Sequence, residues 1–435
     1  MEIKNNILKI FQGKILRDDF VRHTGIMVVG TKIGDFFNFI FRLVLVHLLS
    51  VEEYGVFNRL ISLSLVFCQF VSPFQPSLAR YIAGSAGRRK FGRVRYILKR
   101  SGRDLGIFSL LILAIFIIFS GRIAAYLNIE NPAYLVIVGI LVAASIIMAV
   151  PSAFLQGAQL FLPLAFIGAL AALIKLIIGA GLIYLGLKVS GGLWGFIACP
   201  LVITAGGIWV IIRYFNERKT ENSSEVSLPM LPIYKYFIPT ALILGSFWLL
   251  TNVDVILVGH FYPDRAGVYS VAQMVGLIIL FLPLAVPMVV YPKAAAAQAR
   301  DVSGRKLLKK GLIAVALFCG LGVLICTLAP AAVLKVLTGK EDPRSLKLII
   351  WFALAMSFYS LAMLVIFYHM AVHNVKIVLP LLSLAALETA TIYFYHPTLK
   401  SVLIVLLFYS IVTFLVSLLI LKYPSEAAGS FDEEY

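Results

Sequence analysis

The sequence predicts an all-α integral membrane protein with twelve transmembrane helices in two pseudo-twofold six-helix lobes. Three observations carry that prediction. The first is composition: 61% of the 435 residues are hydrophobic and 14% are charged, where a soluble chain carries nearer a quarter charged. With a mean hydropathy of +0.96, the chain has more apolar surface than a water-soluble core can hide, so lipid is its solvent. The second is the recurrence of apolar runs about 20 residues long, the length that crosses a bilayer as a helix. The third is an internal repeat, in which the second half of the chain restates the turns, prolines and basic loops of the first.

The runs are read in order as 24–49, 57–83, 105–120, 133–157, 162–187, 192–212, 236–261, 267–291, 311–337, 346–370, 377–395 and 401–421. The third is the shortest. The fourth and fifth are split only by QGAQLFLP, where Pro163 marks the restart. Residues 1–23 are basic, and no short apolar core with a cleavage site follows them. They read as an amphipathic helix on the cytoplasmic membrane surface rather than a cleaved signal. The segment RYFNERKTENSSEVSLPMLP (213–232) is polar and Pro-bearing, the best boundary in the chain. The organisation is therefore an amphipathic N-terminus (1–23), an N-lobe (24–212), a cytoplasmic linker (213–235), a C-lobe (236–421) and a cytoplasmic tail (422–435).

Orientation follows from Lys and Arg, which favour the cytoplasmic side. AGRRKFGRVRYILKRSGRD after the second run and KAAAAQARDVSGRKLLKK after the eighth are densely basic. Placing both on the inside puts both termini in the cytoplasm and VEEYG, which has no Lys or Arg, outside. VEEYG then reads as a tight outer turn in which Gly55 supplies backbone freedom. The net charge of +17 belongs to loops facing the inner leaflet, so membrane lipids rather than nucleic acid are its partners. The location this implies is the cytoplasmic (plasma) membrane. The four cysteines lie in apolar runs and read as packing residues.

The repeat aligns LVLVHLL (43–49) with VILVGHF (255–261), Gly55 with Gly267, and AALIK (171–175) with AALET (385–389). Six runs per half give both halves the same starting side, the parallel-repeat arrangement of many transporters. Pro73 and Pro76 in the second run match Pro283 and Pro287 in the eighth in depth, as hinge or kink positions.

Charges inside lipid-soluble helices are costly and face a cavity or a partner. Thr24, Thr31, Lys32, Asp35, Asn38 and Arg42 fall within about 120° of arc on the first helix. This stripe is either a polar pathway or, at Lys32 and Asp35, local i,i+3 pairing. Arg42 aligns with Asp254, so the repeat sets opposite charges at matching depth, poised to pair. Lys175 and Glu388 lie near the centres of the fifth and eleventh runs, with Arg59 and Arg80 nearer the mouths. Lys175 can meet an anionic headgroup, and Glu388 can bind H+ or Na+ as a coupling ion or neutralise Lys175. Each also reads as a buried pair with no transport role. His369 and His373 have an i,i+4 spacing that can hold a metal, but no third ligand is nearby, so no metal is expected. There is no P-loop, HExxH, Gly-x-Ser-x-Gly or paired CxxC, which argues against an ATP-driven pump and the common hydrolases. The chain reads as a secondary transporter, not an enzyme, with no cofactor beyond a coupling ion.

The stretch from Gly30 to Gly84, and within it the turn LSVEEYGVF, resembles the start of the polysaccharide/oligosaccharide flippase family. NVDVILVGHFYPDRAGVYSVAQ resembles its second-half counterpart. That family belongs to the multidrug/oligosaccharidyl-lipid/polysaccharide exporter (MOP) superfamily, so the resemblance implies a MATE-like fold. It also implies a flippase that moves a polyprenyl-diphosphate-linked oligosaccharide across the cytoplasmic membrane by alternating access, for cell-surface polysaccharide biosynthesis. Glycosyltransferases or a polymerase of the same pathway are the implied protein partners. On that reading Lys32, Asp35, Asn38, Arg42, Arg59, Arg80, Lys175, Asp254 and Glu388 are the cavity residues, with Arg42 and Lys175 meeting the diphosphate. The alternatives are a MATE-like ion-coupled exporter of cationic drugs or metabolites, in which Asp35, Asp254 and Glu388 become central, and a lipid-linked peptidoglycan precursor flippase.

Overall fold

A computed structural model describes residues 19–87, 90–217, 231–298, 304–338, 343–372 and 374–421. Residues 1–18 of the expected amphipathic N-terminus, most of the linker, His373 and the tail lie outside the described residues. Every regular element among the described residues is a helix, as lipid requires of a chain that does not close into a barrel. They are α1 (Asp19–Leu48), α2 (Val51–Val71), α3 (Phe74–Gly87), α4 (Phe91–Tyr126), α5 (Ala133–Gly157), α6 (Phe161–Leu182), α7 (Lys188–Asn216) and α8 (Leu231–Leu250). Then follow α9 (Val253–Phe261), α10 (Ala266–Phe281), α11 (Ala285–Gln298), α12 (Arg305–Leu328), α13 (Pro330–Thr338), α14 (Pro343–Ala371), α15 (Val378–Phe394) and α16 (Leu399–Ile420).

Nine helices among the described residues are long and apolar enough to cross a membrane, or ten with the bent pair Phe237–Leu250 and Val253–Phe261 taken as one. One of the nine is the 56-residue Phe161–Asn216, more than twice the length of a single crossing. It is broken by a π-helical turn, Ile183–Leu187, where Gly186 (φ 91°) and Lys188 (φ 45°) leave helical geometry. Twelve crossings are consistent with these helices. The protein is a multi-pass membrane protein.

Two expectations change at the start of α2. VEEYG is not a turn but the first turns of a helix. Ser50 and Glu53 form a reciprocal cap: Ser50 N–H donates to Glu53 Oε2 (2.9 Å), and Glu53 N–H donates to Ser50 Oγ (3.1 Å). That satisfies two amides that would otherwise be orphaned and starts the helix at Val51, not residue 57. Gly55 is therefore helical, and its value is the absence of a side chain, not unusual backbone angles. Of the four expected hinge prolines, Pro73 and Pro283 interrupt their helices, while Pro76 and Pro287 lie in the first turns of α3 and α11. The chain leaves α2 at Ser72–Pro73 and α10 at Leu282–Leu284, around Pro283, since proline removes an amide donor and crowds the preceding turn.

The chain divides into two compact units. The first comprises 1–48, 71–121 and 131–237, and the second 49–70, 122–130 and 238–435. In the first, α6 packs on α1 and α7, and α5 packs on α7 and α3. The α6–α7 crossing is close: a Cβ on Gly195 would lie 2.6 Å from Gly179 Cα. Small residues at such crossings let backbones gain the dispersion contact that drives helix association in lipid. In the second unit α14 is the hub, packing against α10, α11, α12 and α16. Its buried residues, among them Phe352, Ala353, Val365 and Ile366, face several directions, as a helix surrounded by protein must.

Candidate functional site

Among the described residues, the first unit buries a lysine between aromatic rings and the second buries two acids beside tyrosines. In the first unit the α1–α6–α7 packing sets Phe41 and Phe196 around the Lys175 side chain. Its Nζ lies 4.1 Å from the Phe196 ring centroid and 5.3 Å from that of Phe41. The two rings are 5.6 Å apart, and Lys175 is 8% exposed. Among the described residues no carboxylate lies within ion-pairing distance of it. Arg42 and Cys199 are within electrostatic range. Ring faces attract a cation by about 0.5–2 kcal/mol, less than removing an ammonium from water costs. They also leave its N–H donors available. The arrangement suits an anion held by the Lys175 donors and the Arg42 charge.

In the second unit α8 ends at Leu250, and the chain bends by 42° into α9. Thr251 Oγ1 and Asn252 Nδ2 donate back to the carbonyls of Phe247 and Trp248, covering groups freed by the break. Asp254 follows in the first turn of α9, where the helix dipole favours a carboxylate. It is fully buried, and its Oδ2 accepts from Tyr269 Oη at 2.8 Å. Glu388 on α15 is also fully buried, and its Oε2 accepts from Tyr359 Oη at 2.9 Å. The remaining oxygens, Asp254 Oδ1 and Glu388 Oε1, have no hydrogen-bond partner, and the two carboxyls are within electrostatic range of each other. Buried polar atoms are nearly always satisfied. A proton on either acid would satisfy the buried group without a charge in the interior.

The other expected residues are dispersed. Lys32 and Asp35 pair at 3.1 Å on an exposed part of α1, the local i,i+3 pairing expected as one alternative. Asn38 and Arg42 are half-buried, and Arg80 on α3 is exposed. Arg59 is buried in the second unit and donates to three backbone carbonyls, those of Gly55, Leu127 and Gly259. His369 has both ring nitrogens engaged, Nε2 by the Ser417 carbonyl and Nδ1 by Asn374. His373 lies outside the described residues. No group of three or more His, Cys, Asp or Glu with metal-binding geometry occurs among the described residues.

Sequence reasoning located the charges and missed their aromatic partners. Tyr269 carried a signal, as the aromatic of the repeated Gly-Val-aromatic element whose first-half counterpart is Phe57. Phe41, Phe196 and Tyr359 stand in apolar runs with no mark of their own.

Residues 20–298 match the family described as polysaccharide biosynthesis protein. The chain belongs to that family. Among solved structures, an inward-facing multidrug resistance MATE transporter of the MOP superfamily superposes with a TM-score of 0.66 at 15% identity, covering 91% of this chain and 98% of that one. The inward closed lipid II flippase MurJ gives 0.67 at 15% identity, over 91% of this chain and 87% of that one. A MOP transporter from Pyrococcus furiosus, whose description notes a reversed binding-pocket polarity, gives 0.59 at 16% identity, over 94% and 98%. A search of curated proteins returns no match. The fold is the one these MOP-superfamily structures share.

Proposed function

We propose that this chain is the flippase of a surface-polysaccharide pathway. It moves a polyprenyl-diphosphate-linked oligosaccharide from the inner to the outer leaflet of the cytoplasmic membrane, by alternating access and with both termini inside. The carrying observation is the buried Lys175 ammonium, held by two rings, near Arg42 and without a carboxylate. A diphosphate is the part of such a substrate that needs buried cations, and the membership of the polysaccharide biosynthesis family supports this cargo. Asp254 and Glu388 act separately, as the site of a coupling H+ or Na+. They also favour one second reading, an exporter of cationic drugs or metabolites driven by such an ion.

Reconstituted vesicles separate the readings. Translocation of a short lipid-diphosphate glycan is followed by its accessibility to an impermeant enzyme, and efflux of a fluorescent cationic drug is followed in parallel. Glycan translocation that falls with Lys175→Met supports the flippase. Drug efflux without glycan translocation replaces it with the exporter.

A further inference from the structure

We infer that Arg59, with Gly55 and Asn58, is a separable clasp that ties two straps of the first sequence half to the second half, and that its release is a step of the transport cycle. The inference rests on the alternating-access reading above. The straps are residues 49–70 and 122–130. Each belongs to the second unit, yet the chain on both sides of each belongs to the first. The first strap leaves at the Ser72–Pro73 break, so the unit boundary and the proline break coincide within two residues.

Both straps converge on one guanidinium. Arg59 Nη1 donates to Leu127 O of the second strap (2.7 Å) and to Gly259 O at the end of α9 (3.0 Å), and its Nε donates to Gly55 O in its own helix (3.2 Å). Leu127 follows the last residue of α4, and Gly259 lies in the last turn of α9. Helix C-terminal carbonyls lack partners in their own helix and carry partial negative charge. They stabilise the cation without a carboxylate, so opening the clasp strands no counter-charge. Gly259 is what admits the side chain, because a Cβ there would lie 2.0 Å from Arg59 Cδ. Asn128, at φ 52°, adds a donor to His260 O at 2.7 Å.

The first strap is held along its length in the same separable manner. A Cβ on Gly55 would lie 2.6 Å from Gly267 Cα, and one on Gly267 would lie 2.2 Å from Val51 O. The paired glycines of the repeat therefore meet backbone to backbone. One turn further, Asn58 Nδ2 donates to Gln273 Oε1 at 2.8 Å. Backbone contact and hydrogen bonds can part and re-form without repacking large side chains, which suits a contact that must alternate.

The test uses the full-length protein in sealed vesicles, with the four native cysteines replaced by alanine. Ser62, buried one turn beyond Arg59, is changed to cysteine and labelled by an impermeant maleimide from each face. Arg59→Ala is expected to raise labelling about tenfold or more, the scale of one lost charge-assisted hydrogen bond. Arg59→Lys, which cannot reach three carbonyls at once, should raise it less. Gain from the outer face supports both the clasp and the orientation. Gain from the inner face supports the clasp and overturns the orientation. Unchanged labelling from both faces overturns the clasp. If Arg59→Ala does not fold, the pair Asn58→Cys and Gln273→Cys decides. Oxidation should stop transport of either cargo, and reduction should restore it. Full transport with the cross-link formed overturns the proposal and leaves the choice of cargo untouched.

Discussion

Lys175 and Glu388 stand one position apart in the repeat alignment, and their surroundings are inverted. Lys175 is a cation under the faces of Phe41 and Phe196. Glu388 is an acid held by one tyrosine hydroxyl, with a second acid, Asp254, nearby on another. A ring face attracts positive charge and a phenol donates to negative charge. Neighbouring positions of the sequence repeat thus carry opposite chemistry. Neither cluster is neutralised within its own unit by an ion pair among the described residues. A buried unpaired ammonium costs several kcal/mol, whereas a buried acid avoids that cost by keeping its proton. Under the proposed function the difference corresponds to two binding tasks, an anion in one unit and a proton or cation in the other.

The sharpest way to break this comparison is Glu388→Gln. The amide keeps the shape and the Tyr359 hydrogen bond and removes the titrating group. If this acid couples transport, uptake driven by an imposed proton or sodium gradient should fall about a hundredfold or more, with thermal stability unchanged or raised. Driven transport at the parental rate would make the acid pair a structural feature. Tyr359→Phe should act in the same direction and more weakly, because it removes a donor and leaves the carboxyl.

The next effect should come from Lys175→Met, which fills the space between Phe41 and Phe196 with a flexible apolar chain. Binding of a lipid diphosphate, measured by fluorescence titration, should weaken about tenfold or more, the scale of a charge-assisted contact. The melting temperature should hold or rise, because an unpaired buried ammonium is gone. Loss of stability together with binding would assign the lysine to the fold. Phe196→Leu should be milder, about three- to tenfold in the same titration, since it removes part of one ring contact.

Much of this was legible in the sequence, and the exceptions share a cause. Buried charges announce themselves because nothing else explains Lys175, Asp254 or Glu388 in an apolar run. The breaks near Pro73 and Pro283 are equally plain, because proline acts on its own turn. Gly55 is ambiguous in the sequence because glycine has two uses. Sequence alone does not tell positive backbone angles from a close approach to Gly267, which lies more than 200 residues away. The cap formed by Ser50 and Glu53, spaced S-x-x-E, was a readable local signal for the earlier helix start. The Arg59 carbonyls and the Phe196 and Tyr359 partners had no such signal, because backbone acceptors are the same in every sequence and apolar aromatics are common in membrane helices.

The smallest effect is expected at the exposed pair on α1, and it sharpens the comparison by serving as its control. Lys32 and Asp35 are 71% and 57% exposed and three residues apart, so their pairing is worth little in solvent. Lys32→Gln with Asp35→Asn removes two opposite charges and leaves the net charge unchanged. Thermal melting in detergent should shift by no more than about 1 °C, the range of an exposed pair. If only the buried clusters carry binding, lipid-diphosphate affinity and gradient-driven transport should stay within about twofold of the parent. A tenfold loss of affinity at unchanged stability would show that the polar stripe of α1 meets the cargo. The anion task would then extend from Lys175 on α6 to Arg42 and Lys32 on α1, and the division of labour between the units would rest on a surface rather than on one buried lysine.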